Sequence, residues 1–191
     1  MSLTTLANCK AFKNVTGTAH DAELTRLIAA VDEFTNTYCN RKLEQATFTE
    51  YHSLREGQQS FLLKNPPVAS ITSIHDDPDR AYGAGTLLTN NTDYVLEDEG
   101  AGRIEFDEHA TSGGLRNIKA VYGGGFATGS GALKLLEQAA IELIWLTRDL
   151  GDKALLGIQS KSIADGSVTN YQRSRLDAVR EILDRYRLHR V

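Results

Sequence analysis

Serine, glycine, aspartate and histidine clusters mark the places where this sequence offers reactive groups. Ala110-Thr111-Ser112-Gly113-Gly114 loosely has the form of a nucleophile elbow, which holds a serine exposed between a strand and a helix. Residues 115–122 read as a strand, not a helix, so a serine nucleophile is disfavoured. The glycine-rich stretch from Gly123 to Gly131 resembles a phosphate-cradling loop. It has neither GxGxxG nor a lysine followed by serine or threonine after its glycine, and Lys134 falls inside the next helix. It reads as a flexible turn. Asp76-Asp77-Pro78-Asp79 offers oxygen ligands to a hard cation but lacks the glycine and distal glutamate of a calcium loop, and reads as a solvated acidic turn. The histidines His20, His52, His75, His109 and His189 stand singly, without metal-ligand spacing. His109, beside Asp107 and Glu108, has no partner nucleophile and reads as surface. No catalytic residue, metal site or cofactor is expected; the chain reads as non-enzymatic.

Charge is the second signal. The 191 residues carry a formal charge of −4, but residues 76–108 hold ten acids against Arg80 and Arg103, a net of −8. Residues 173–190 hold six arginines against Asp177, Glu181 and Asp184, a net of +3. Such asymmetry bears on partners rather than on fold. A DNA-binding or regulatory module on the arginine-rich segment is one alternative. Its arginines alternate with acids at pairing distance and lack an aromatic series, which favours a salt-bridged solvent face.

Those residues must be positioned by a fold, and composition bounds it. With 41% hydrophobic and 24% charged residues, the chain is one ordinary globular domain, or one with a large insertion. It can bury about 70% of its extended-chain surface. Cys9 and Cys39 lie 30 positions apart with no CxxC, so reduced, core-facing thiols are expected. No apolar run approaches the roughly 20 residues a membrane span needs. The opening Met-Ser-Leu-Thr-Thr lacks the features of a signal peptide, so synthesis in the cytosol without membrane insertion is expected.

Apolar spacing predicts a short helix from Thr4 or Thr5 to Lys13, and a longer one capped by Asp21 with Leu24, Leu27, Ile28, Val31, Phe34 and Tyr38 on one stripe. Short β-favouring runs follow: 47–54, 60–64, 68–75, 94–96, 103–106 and 118–122. A hairpin turn is predicted at Glu56-Gly57-Gln58 and a break at Asn65-Pro66-Pro67. A helix over 132–150 is apolar on nearly every side, so it must be central or face a neighbouring subunit. Residues 151–172 show no period and read as a long loop. A last helix over 173–188 carries Leu176, Val179, Ile182, Leu183 and Tyr186 on one stripe, with i,i+4 ion pairs on its outer face. The expected class is α+β and mainly helical: a helical hairpin, an inserted small antiparallel sheet, a long central apolar helix, a long loop and a C-terminal helix. The expected organisation is a single domain, with a helical core at 1–43 and 132–191 and a β-rich insertion at about 44–125.

The order of these segments resembles a known family. Leu3-Thr4-Thr5-Leu6-Ala7-Asn8, the 21–38 helix ending near Arg41, and Asn65-Pro66-Pro67-Val68-Ala69-Ser70-Ile71 are similar to segments of the head–tail connector (adaptor, head completion) proteins of long-tailed bacteriophages. So are Val121-Tyr122-Gly123-Gly124-Gly125-Phe126 before the 133–146 helix and Ile163-Ala164-Asp165-Gly166-Ser167-Val168 before the last one. The chain departs from the shortest members of that family in a larger acidic β-rich insertion, and from many relatives in Gly166-Ser167, where they often carry an aromatic.

The resemblance implies a structural virion protein. Copies would form a ring, commonly dodecameric, below the portal vertex, extend the DNA channel, and join the filled head to a stopper or tail-completion protein. Expected partners are the portal protein, the stopper, other copies of the chain and, by proximity, packaged DNA. The expected location is the head–tail interface of the virion, reached from the host cytoplasm. Portal docking is expected at Arg173, Arg180, Tyr186, Arg187, Leu188, His189 and Arg190. A subunit interface is expected at Leu136, Ile144, Trp145, Ile158, Ile163, Val168 and Tyr171. The acids Glu97, Asp98, Glu99, Glu105, Asp107 and Glu108 are expected either to line the channel, repelling phosphate so that DNA slides, or to stand solvent-exposed on the outer rim.

Overall fold

The computed structural model describes residues 2–152, 162–163, 166–167 and 169–188, with backbone alone at 150–152, 162–163, 166–167 and 169–174. The chain divides into two compact units: Met1–Arg41 together with Gly129–Val191, and Lys42–Thr128.

The first unit is helical. Helix α1 spans Leu6–Phe12, with the Thr5 hydroxyl accepting from the Asn8 amide at 3.2 Å, which satisfies an otherwise orphaned amide of the first turn. Helix α2 spans Asp21–Tyr38. Asp21 is its first helical residue rather than its cap, and together with Glu23 it puts negative charge where the helix dipole favours it. Leu24, Leu27, Ile28, Val31 and Thr35 form the buried face. Thr35 is tolerated there because its hydroxyl donates to the Val31 carbonyl at 2.9 Å.

Helix α3 spans Gly131–Asp152, slightly longer at both ends than the apolar spacing predicts, and helix α4 spans Thr169–Tyr186, starting four residues before the predicted 173 and ending two residues before the predicted 188. Ser130 Oγ accepts from the Leu133 amide at 3.2 Å and starts α3. Between α3 and α4, Ser162–Ile163 (β7) and Gly166–Ser167 (β8) pair antiparallel, inside a stretch expected to lack secondary structure. Packing runs from α1 to α2, α2 to α3 and α3 to α4. Cys9 and Cys39 are buried free thiols.

The second unit holds six strands: β1 (Ala46–His52), β2 (Ser60–Leu62), β3 (Val68–Asp76), β4 (Tyr94–Asp98), β5 (Arg103–Phe106) and β6 (Ile118–Gly124). They form two antiparallel sheets, ordered β1-β6-β3 and β2-β5-β4, where one small sheet was expected. The predicted hairpin at Glu56-Gly57-Gln58 is a turn, closed by the Gln58 amide on the Arg55 carbonyl at 3.1 Å. It carries the chain from one sheet to the other, because β1 pairs with β6 and β2 with β5.

Alternation explains the shared core. Ile74, Ile118, Ala120 and Tyr122 from one sheet meet Phe61, Tyr94, Ile104 and Phe106 from the other in one buried cluster. Each such large side chain contributes about 1.5–3 kcal/mol by leaving water. The Gly123-Gly124-Gly125 stretch belongs to this packing rather than to a flexible turn. A Cβ on Gly124 would lie 2.3 Å from the Asn65 carbonyl oxygen, and one on Gly125 would lie 2.5 Å from that of Glu44.

Candidate interaction surfaces

The groups singled out for chemistry turn out to be internal fasteners. Asp76, at the end of β3, is buried. It accepts from Ser112 Oγ at 2.5 Å, the Ser112 amide at 2.7 Å, Asn117 Nδ2 at 3.0 Å and His109 Nε2 at 2.7 Å. Serine, histidine and aspartate therefore meet, but not in a relay. A catalytic triad passes the serine hydrogen to histidine, whereas here serine and histidine both bond the carboxylate. Burial alone would raise the Asp76 carboxyl, but the bonds from Ser112, His109 and Asn117 outweigh it and hold the group below the ordinary carboxylate value. Asp77 is buried as well, and accepts from the amides of Asp79, Arg80 and Tyr82. The expected solvated acidic turn and surface histidine are thus corrected: strand register brings them onto the loop at 109–117.

A second buried carboxylate, Glu50, faces the core of this unit. Tyr122 donates its hydroxyl to it, His52 Nε2 lies at 3.0 Å, and the Lys64 amide and Asn65 Nδ2 each approach to 3.1 Å. Burial raises the Tyr122 hydroxyl well above its usual value, and the bond to Glu50 adds to that shift. Among the described residues, no group of His, Cys, Asp or Glu is arranged to hold a metal ion, and no helix is long and apolar enough to cross a membrane.

Five of the six expected channel acids separate into two clusters at opposite ends of the β4–β5 ribbon, and Glu105 lies between them within β5, opposite Val95. Glu97, Asp98 and Glu99 stand at its turn, where Asp98 pairs in register with Arg103. Asp107 and Glu108 stand at the other end, beyond the Tyr94–Phe106 pair. All five are exposed, and Glu105 is half-buried. Arg103 reaches Glu97 at 2.9 Å and also bonds Glu105, so it neutralises part of this charge. Glu99, Asp107 and Glu108 have no cationic partner among the described residues.

In the helical unit, the expected docking residues gather where α4 ends. Arg180 and Arg187 are exposed, while Tyr186 and Leu188 are half-buried. Arg180 lies 4.0 Å from Asp177, and Arg185 lies 3.2 Å from Glu181. Of the i,i+4 pairs expected on this helix, Arg180 with Asp184 is not formed; Asp184 accepts from Tyr38 Oη at 2.7 Å. The Leu188 amide donates to the Cys39 carbonyl at 2.9 Å, and Asn40 Nδ2 donates to the Leu188 carbonyl at 3.3 Å. Arg187 lies over the Tyr38 ring at 5.2 Å. Sequence reading missed the contribution of α2. The signal was an aromatic at its end, Tyr38, with Phe34 one turn earlier and 48% exposed.

Leu136, Ile144 and Trp145 were expected at a subunit interface. They are 0%, 0% and 3% exposed inside the helical unit, so their apolar surface is already used within the chain. Trp145 Nε1 donates to the Cys9 carbonyl at 3.0 Å. Leu135, on the same helix, is exposed. Ile158, Val168, His189 and Arg190 lie outside the described residues, as do the side chains of Ile163, Tyr171 and Arg173.

The charged groups of the described surface are thus arranged as separate patches. Comparison with family models gives a match over residues 2–189 to the family described as head completion protein. The chain belongs to the head completion protein family. Its fold is similar to chains in three solved particle structures. In the neck of an empty GTA particle computed with C6 symmetry, the matching chain is 16% identical at a TM-score of 0.62, with 99% of this chain and 91% of that chain covered. In the virion of the native gene transfer agent particle, the values are 18% and 0.60, with 99% and 91% covered. In the neck of the native GTA particle computed with C12 symmetry, they are 18% and 0.56, with 93% and 94% covered. No curated protein matches the chain. As a head completion protein it is a structural component joining head and tail.

Proposed function

We propose that this head completion protein works as one of twelve copies in a ring below the portal, at the head–tail interface of the virion. The ring continues the DNA channel and presents the surface onto which a stopper or tail-completion protein docks. The family match over residues 2–189 carries this reading. The fold shared with chains of neck structures computed with C6 and C12 symmetry supports its cyclic form.

Portal docking falls to the end of α4. Arg180, Arg187, Tyr186 and Leu188 stand there beside Tyr38 and Phe34, giving exposed guanidinium groups next to aromatic rings. Arginine and tyrosine are favoured anchors at protein interfaces. Arg173, His189 and Arg190 extend the same sequence stretch. Asp107 and Glu108, exposed and without a cation, suit a channel wall that repels phosphate. In this reading the protein acts by shape and charge, without catalysis.

Sedimentation and negative-stain imaging of the purified protein, alone and mixed with portal rings, test the proposal. Rings, alone or on portal, are expected. A monomer indifferent to portal would contradict it.

A further inference from the structure

The outward face of the β1-β6-β3 sheet carries a feature that the core of its own unit does not use. Register aligns Tyr51 of β1, Lys119 of β6 and His75 of β3 in one row across the three strands. Their neighbours Glu50, Ala120 and Ile74 point into the core, so these three point out. Onto this row fold two loop residues, Tyr82 and Arg116. The Arg116 guanidinium lies 4.3 Å from the Tyr51 ring centre, Tyr51 and Tyr82 lie 5.5 Å apart, and Lys119 Nζ lies 5.3 Å from the Tyr82 ring. His75 meets the edge of Tyr82 at 6.4 Å.

Two further facts mark this platform. Neither Arg116 nor Lys119 has a carboxylate partner among the described residues, so both charges are unspent. Tyr82 and Arg116 hold positive φ, 51° and 56°, a backbone state that costs energy outside glycine. The Tyr82 hydroxyl donates to the Arg116 carbonyl at 2.6 Å and fixes one loop against the other. The platform's loops are tied together, and its cations are held over aromatic faces.

Its complement stands on the other sheet of the same unit. The β4–β5 turn presents Glu97, Asp98 and Glu99 around a shallow depression that Gly100 and Arg103 complete. A cationic patch and an acidic patch on different sheets of one unit are what head-to-tail association requires, since a ring of heterologous contacts needs two different faces. Duplex DNA is the less favourable occupant. Residues 42–128 carry seven Lys or Arg against thirteen Asp or Glu, a net of −6, so the unit as a whole repels phosphate while each copy supplies a matching acidic turn.

We propose that the Tyr51, Tyr82, Arg116 and Lys119 platform seats the acidic Glu97–Glu99 turn of a second copy of this chain, forming the seam between neighbouring subunits. The inference rests on the ring reading above. It assigns the Glu97–Glu99 cluster to the seam and leaves Asp107 and Glu108 for the channel.

The test is complementary charge reversal. Four proteins are compared by sedimentation velocity up to millimolar concentration at low and high salt: wild type, Arg116→Glu/Lys119→Glu, Glu97→Lys/Glu99→Lys, and the fourfold combination. Circular dichroism melts confirm folding, and Lys119→Gln serves as a milder platform variant if the reversals unfold. Expected are salt-sensitive association of wild type and at least about tenfold weaker self-association of each one-sided variant. Mixing the two one-sided variants should give pairs that join through reversed charges, and the fourfold combination should recover association. Association unchanged in both one-sided variants would overturn the seam and leave the ring standing. So would a wild-type monomer at every concentration that still forms rings on portal. Loss of duplex DNA binding by the platform variant, with rings intact, would reassign the platform to DNA. Failure of wild type to form rings even on portal would instead sink the ring reading.

Discussion

Tyr38 Oη donates to Asp184 Oδ1 at 2.7 Å, joining the last residue of α2 to the last turn of α4. The same corner carries the Leu188–Cys39 and Asn40–Leu188 bonds and the Arg187–Tyr38 contact. The face assigned to portal docking is therefore shaped by α2 as much as by the arginine-rich helix. Tyr38→Phe should lower stability by about 0.5–1.5 kcal/mol, read as a small drop in melting temperature. The bond to Asp184, followed by burial, raises the Tyr38 hydroxyl above its ordinary value. A raised folded value means that its stabilisation is present below about pH 10 and lost as pH climbs through the folded value. Wild type and Tyr38→Phe should then melt alike in strong base.

Charge reversal at Arg180 and Arg187 separates docking from folding. Both side chains are exposed, so Arg180→Glu/Arg187→Glu should leave the melting curve within about 0.5 kcal/mol of wild type. Portal binding should weaken by tenfold or more, as measured by co-sedimentation. Truncation after Gln172 is a poorer probe, because it removes the buried Val179 and Leu183.

The Asp76 cluster predicts an acid limit for the β unit. Its folded carboxyl sits below the ordinary value, so its contribution is present above about pH 4 and lost as pH falls through the folded value. Asp76→Ala should cost about 3 kcal/mol by stranding the buried Asn117 amide and removing the bonds from Ser112 and His109, and should flatten the acid limb of a stability–pH curve. Trp145, the single tryptophan, is buried in the other unit. Its native emission should therefore be unchanged in this variant.

Glycine substitutions distinguish close packing from spare loop. Gly124→Ala pushes a methyl to 2.3 Å from a backbone oxygen, whereas Gly85→Ala meets nothing within 4 Å. The first should cost more than about 2 kcal/mol by forcing the strand and the Asn65 turn apart, and the second should be neutral, both by urea denaturation.

These outcomes follow from features of unequal visibility in the sequence. The helices were legible because Leu24, Leu27, Ile28 and Val31 repeat at the helical period, and strand β5 was found with its observed ends, Arg103–Phe106. Pairing was not legible. Alternation in β1 and β2 shows that each has two faces but not which partner each takes, so a hairpin was expected where the chain changes sheets. The Asp76 cluster was hidden for the same reason, since its partners lie 33 to 41 positions away and meet only through that pairing. The apolar excess of the 132–150 helix was visible, but its destination was not. Much of it packs inside the helical unit, and among its described residues Leu135 remains exposed.

The central claim is that the protein completes the head. Disruption of its gene, with complementation, tests this most directly, by imaging particles and measuring the DNA they retain. Heads that package DNA but fail to hold it or to join tails, restored by the wild-type chain and not by Arg180→Glu/Arg187→Glu, are the predicted result. Tailed, DNA-filled particles formed without the protein would contradict it.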